Sequence, residues 1–222
     1  MKRTIFSYCP VYVQIHFTDV TTDSRDAHPW PIFIIERTMQ GDESHSLDFH
    51  VLSSDLQPFS NPSDVATLLE RQLLSTNWQE LCKGLLEFRR ILKFHAFVIE
   101  EKVYQLVPHV VTCLTNLRSA VVKAALLCIE ELVLSFKGDI NRFVDGSDSC
   151  ILLSVINKSS FEKKFIMAQA HSVLGSLIAV LPTVNVVEVA LLLTSHIRPT
   201  FRAQVAFAMD LALQKVDNIQ VG

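Results

Sequence analysis

The chain has 222 residues, of which 49% are hydrophobic and 19% charged, with 6 glycines and a formal net charge of −3. That length can bury a real core, and the apolar content excludes a wholly disordered chain. So few glycines argue against a turn-rich all-β domain and a Gly-rich phosphate loop, and the acidic total excludes a generally basic nucleic-acid binder.

Charge and proline divide the chain. Residues 1–63 carry 4 Lys/Arg against 8 Asp/Glu and hold 5 of the 8 prolines, whereas residues 64–222 carry 16 against 15. The boundary near Asn61-Pro62-Ser63-Asp64 separates a largely irregular, acidic lead segment (1–63) from a second region (64–222). Met1-Lys2-Arg3 opens like a signal peptide, but Ser7, Pro10, Gln14 and His16 break the apolar run and no cleavage site follows. Val11–Phe17 and Pro31–Glu36 are rich in β-branched and aromatic residues, enough for two short strands or one hairpin with little stability alone. His45, Asp48 and His50 lack a further ligand nearby, so they read as a solvated loop rather than a metal site. No metal or cofactor is expected anywhere in the chain.

From Asp64 onward the period becomes helical. Asp64–Leu74, Glu100–Thr115, Ile140–Ile156 and Val184–His196 each precede a second amphipathic segment that opens at a polar turn. Those second segments begin at Asn77-Trp78, Arg118-Ser119, Phe161-Glu162 and Arg198-Pro199. Within them the small residues Gly84, Ala125, Ala170 and Ala208 mark close helix approach, and they stand 41, 45 and 38 residues apart. That period is characteristic of HEAT and armadillo repeats. The expected fold is all-α, an α-solenoid of about four helical hairpins over residues 64–222. Ser63-Asp64 can cap the first helix, Lys137-Gly138 can end another, and Pro182 and Pro199 sit where helices begin or break. The longest apolar stretch, Val173 to Leu193, is interrupted by Pro182, Asn185 and Glu188, so two abutting helices are expected rather than a membrane span. Leu211, Leu213, Val216 and Ile219 predict an apolar, uncapped final helix. Five cysteines without paired spacing predict no disulfide framework; Cys82, Cys113 and Cys128 fit buried free thiols in a reducing, intracellular compartment.

Solenoids bind through a face or an edge. The turns inside the hairpins, with the first helical turn after each, hold Arg118, Lys123, Lys158, Lys163, Lys164, Arg198 and Arg202, opposed in the last three turns by Glu162 alone. One reading is that these charges cap exposed helix ends, although cations at helix N-termini oppose the macrodipole; the other is a basic edge that meets an acidic partner. Trp78 serves equally as a cover over the core or as an exposed anchor. Enzyme motifs such as HExxH, GxSxG or a P-loop are absent, and His95, His109, His171 and His196 lie one per helical region without a repeated partner. A non-enzyme is expected.

At these residues the sequence resembles a TOG domain, the HEAT-repeat module that binds αβ-tubulin. The resemblance is carried by Asn77-Trp78, Gly84-Leu85, Phe88-Arg89-Arg90-Ile91-Leu92-Lys93-Phe94-His95 and Asn116-Leu117-Arg118-Ser119-Ala120-Val121. The first and second turns are similar to those of the CLASP and crescerin families, and the run from Gly84 to His95 is closer to crescerin, the TOG-array protein of ciliary axonemes. The third and fourth hairpins match only as generic HEAT repeats. The resemblance implies a monomeric tubulin- or microtubule-binding module that regulates microtubule dynamics, cytoplasmic and cytoskeletal, with a cilium or axoneme as its setting. No nucleic acid or membrane partner is implied. Asn77, Trp78, Arg118, Ser119, Lys123, Lys158, Lys163, Arg198 and Arg202 would then contact tubulin, with Trp78 the apolar anchor and Arg118 the main cation of the second turn. Two departures stand out. Leu81 replaces a basic residue of the family pattern, with Lys83 nearby, and the four hairpins are fewer than a full module has, as in a fragment or short isoform. The alternative is a generic HEAT scaffold that grips a peptide or protein on its concave helix face.

Overall fold

Eight helices account for nearly all the structure among the described residues, and they pair in sequence order into four antiparallel hairpins. A computed structural model of the chain describes residues 50–137, 139–140 and 151–220, with side chains to residue 216. Val11–Phe17, Pro31–Glu36, His45, Asp48, Cys9 and Cys150 lie outside them. The first hairpin is α1 (Pro62–Leu73) with α2 (Trp78–His95), and the second is α3 (Val103–Cys113) with α4 (Ser119–Phe136). The third is α5 (Ile151–Ser159) with α6 (Lys164–Val180), and the fourth is α7 (Thr183–Leu193) with α8 (Pro199–Gln220). Successive second helices stack, α2 on α4, α4 on α6 and α6 on α8, while α1 packs on α3 in the other layer. This is the all-α repeat solenoid that the helical period predicts.

The stacking follows from the sequence stripes. Leu81, Leu85, Phe88 and Leu92 recur at helical spacing on α2 and are buried, each contributing about 1.5–3 kcal/mol by leaving water. Val121, Ala125, Cys128 and Leu132 do the same on α4. The small residues sit where helices meet. Ala125, Ala170 and Ala208 are fully buried, and a Cβ added at Gly84 would stand 2.7 Å from Gln72 Cβ on α1. Cys82, Cys113 and Cys128 are buried free thiols, as their helical positions suggest.

The first helix begins at Pro62 rather than at a Ser63-Asp64 cap, because proline has its φ already set and no N–H to satisfy in a first turn. Helix α4 ends at Phe136, at the expected Lys137-Gly138 stop, and Lys137 takes a positive φ of 29°. Of the expected Ile140–Ile156 segment, the described part from Ile151 is helical, and α5 runs on to Ser159. Pro182 and Pro199 open α7 and α8, dividing the apolar stretch after Val180. No described helix is long and apolar enough to cross a membrane. Of the apolar residues expected on the final helix, Leu213 is exposed, Leu211 and Val216 are half-buried, and the side chain of Ile219 lies outside the described residues; Val184, Leu191 and Leu192 of α7 are exposed.

Before α1 the chain forms a strap. Residues 50–59 include a single turn of 3-10 helix, Ser53–Asp55, and lie across α2 and α4. His50 Nε2 donates to the carbonyl of Ala120 at 3.0 Å, which leaves that ring engaged with backbone, and no group of His, Cys, Asp and Glu among the described residues is arranged to hold a metal.

Candidate functional site

Each hairpin turn is short and polar because it must expose its backbone and start a helix. Asn77 caps α2 by accepting from the Gln79 N–H at 2.9 Å. In three of the four turns, the side chain two residues before the cap accepts from the cap's N–H. Ser75 Oγ does so for Asn77 at 3.1 Å, Asn116 Oδ1 for Arg118 at 2.9 Å and His196 Nδ1 for Arg198 at 3.2 Å. The same local turn is therefore rebuilt along the stack, and it fixes what each turn presents.

The turns touch one another in order. The Arg118 guanidinium of the second turn lies 5.2 Å from the centre of the Trp78 ring in the first. Lys163 Nζ of the third turn reaches Ser119 Oγ of the second at 3.4 Å. Arg198 of the fourth turn donates to Asn157 Oδ1 at the end of α5, at 2.6 Å. These contacts tie Trp78, Arg118, Ser119, Lys163 and Arg198 into one row. Lys158 belongs to the same row, half-buried beneath the ring of Phe161 at 4.7 Å. Arg202 turns back to the carbonyls of His196 and Ile197 at 2.8 and 3.2 Å. Lys123 stands one turn into α4, half-buried, outside this set of contacts. Lys83 faces elsewhere, within 4.0 Å of Glu87, and Leu81 is buried, so neither supplies a cation here.

Trp78 lies between the two placements. It is half-buried and packs against the core, yet one face carries Arg118. A cation over an indole contributes about 0.5–1 kcal/mol at an exposed site, and it holds the guanidinium over the rim. Arg198 repeats the device over Phe201 at 5.4 Å.

The electrostatics are one-sided. Arg118, Lys158, Lys163, Arg198 and Arg202 make no ion pair with a carboxylate among the described residues. Burial and then the Arg198 guanidinium pull the Lys158 ammonium below its ordinary value. Burial, Arg198 and Arg202 likewise hold the His196 imidazole below its usual range. After burial, it is thus a neighbouring arginine of the fourth turn that disfavours the charged forms of Lys158 and His196.

Sequence reasoning missed the apolar tips. Leu117 is 99% exposed and Ile197 84% exposed, each immediately before the turn arginine. Phe161 and Phe165 are exposed at the third turn. The signal was present: Asn116-Leu117-Arg118 and His196-Ile197-Arg198 share a polar–aliphatic–Arg pattern two repeats apart. The edge thus alternates exposed hydrocarbon with unpaired positive charge, a composition suited to protein recognition.

No family model matches the chain. The chain is similar to the TOG array regulator of axonemal microtubules protein 1 of Homo sapiens, 29% identical over 108 residues. The Mus musculus protein of that name is 28% identical over 109 residues. Each match covers 49% of this chain and 6% of the relative. This chain therefore spans a small part of the length of the curated relatives it matches. The similarity links it to TOG-array proteins without assigning it to a particular member.

Proposed function

We propose that the chain is a non-enzymatic binding module with a microtubule-related role, and that it binds αβ-tubulin through the row of hairpin turns. The observation that carries this reading is the turn-to-turn row from Trp78 to Arg198, with exposed cations that lack carboxylate partners. The similarity to axonemal microtubule regulators supports the class of partner. Arg118 and Lys163 supply attraction near the first three turns, Arg198 and Arg202 near the fourth, and Trp78 and Leu117 supply apolar contact. Such a surface draws an acidic partner by long-range attraction and weakens as salt rises. A cytoskeletal location, with the axoneme as its setting, follows from the same reading, as does a boundary between the lead segment and the repeats.

The test is co-elution of the full chain with αβ-tubulin and co-sedimentation with microtubules. Arg118→Glu combined with Arg198→Glu reverses charge at two exposed positions and leaves helical circular dichroism unchanged. Loss of co-elution is expected. A folded double variant that binds as well as the parent refutes the edge.

A further inference from the structure

The strap before α1 is held in an unusual way for a segment of its own chain. Its main-chain carbonyls are gathered by cations of α2: Arg89 Nη1 donates to Val51 O at 2.9 Å, Lys93 Nζ to Ser53 O, Arg90 Nε to Gln57 O at 2.7 Å and Arg90 Nη2 to Pro58 O at 3.2 Å. Arg89 is 1% exposed, so its guanidinium is committed to the bottom of the groove. Three side chains of the strap are read individually. Ser53 Oγ donates to Glu131 Oε2 of α4 at 2.8 Å, Leu56 is buried at 4% exposure, and Phe59 lies under the Arg90 guanidinium at 3.6 Å. The Phe59 N–H is also accepted by His95 Nε2 at 3.1 Å. Main-chain bonds to side chains of the host, with individual side chains seated beside them, are how proteins recognise peptides.

We propose that the groove between α2 and α4 is a second binding site, for a peptide of the pattern Ser-x-x-Leu-x-x-Phe that makes a single 3-10 turn at its Ser. Residues 50–59 fill it in cis, and such a segment of another polypeptide takes it when the strap lifts. Leu56 is the one fully buried side chain of the strap, and the groove donors Arg89, Arg90 and Lys93 all belong to α2. The tether of Ser60 and Asn61 is short, which gives the cis segment an effective concentration of about millimolar. A free peptide at micromolar concentration is excluded until that tether is cut or the strap is weakened. The site lies on the helix layer of α2 and α4 and meets the turn edge where His50 bonds the Ala120 carbonyl at the start of α4.

The experiment uses the full chain with a protease site inserted between Asn61 and Pro62, and a fluorescein-labelled peptide of residues 50–59. The uncut chain takes up no peptide at micromolar concentration, whereas the cut chain exchanges its strap for the label in a saturable way. Arg90→Ala weakens that uptake by about tenfold or more, and a peptide carrying Leu56→Asp does not compete. Independently, the uncut chain with Leu56→Asp in its own strap binds the wild-type peptide. A cut chain that stays helical but takes up no peptide within a day overturns the proposal. So does one that loses helicity which added peptide fails to restore.

Discussion

Replacing Gly84 with alanine should destabilise the first hairpin, although alanine is the better helix former. In the middle of a helix, Gly→Ala alone gains about 1 kcal/mol. Here the new methyl would stand 2.7 Å from Gln72 Cβ, with the Gln72 carbonyl carbon at 3.4 Å and Leu73 N at 3.5 Å. Ordinary carbon–carbon contact is about 3.5–4.0 Å, so α1 must move by most of an ångström. Gln72 cannot swing clear, because the obstructing atom is the stem of a side chain only 6% exposed. Overpacking of this kind costs about 1–3 kcal/mol and outweighs the propensity gain, leaving a net loss of about 1 kcal/mol. Gly175→Ala is the control, since nothing lies within 4 Å of the added methyl. That variant should gain about 0.5–1 kcal/mol. Urea unfolding followed by circular dichroism should move the two midpoints in opposite directions. If Gly84→Ala raises the midpoint as Gly175→Ala does, the close approach of α1 and α2 is wrong.

Three further outcomes follow from the edge and the core. Because the folded chain holds His196 below its ordinary value, it binds fewer protons than the unfolded chain as pH falls below about 6.5. Its contribution to stability is therefore complete above that pH and is lost as pH falls through the depressed folded value; His196→Gln should flatten this part of the urea midpoint against pH. Burial pushes the Cys82 thiol up to about 11 and the Cys113 thiol up to about 12, and raises Cys128 as well. Iodoacetamide at pH 8 should spare all three until urea unfolds the chain, as read by peptide mapping. Leu117→Ser removes an almost fully exposed side chain, so stability should change by less than about 0.5 kcal/mol. Tubulin co-elution should nonetheless weaken, and an unchanged profile would exclude Leu117 from the contact.

The helical pairs were legible because a buried stripe must recur every turn, and each repeat needs a small residue where its helices touch. Gly84 illustrates this, since its spacing from Ala125 already pointed to a close approach. The turn cations were also visible, as charges at helix starts where they oppose the helix dipole. The strap was not. Its attachment uses main-chain carbonyls, which leave no side-chain signature, so residues 50–61 read as irregular polar sequence. Arg89 was hidden for the same reason, because a guanidinium on an amphipathic helix reads as solvent-facing until something covers it. Leu117 and Ile197 were obscured differently. Aliphatic residues between helical patterns suggest core, and only the shared turn geometry turns them outward.

A stack of hairpins yields to load by small rotations at each interface, like leaves of a spring. The strap spans the first interface, bonded to α2 by Arg89, Arg90 and Lys93 and to α4 by Glu131. The later interfaces are bridged by individual side chains, such as Gln169 to Glu130 at 3.0 Å and His171 to Gln204 at 2.6 Å. The first interface is thus cross-linked through main-chain carbonyls as well as side chains, whereas Gln169–Glu130 and His171–Gln204 join later ones through side chains alone.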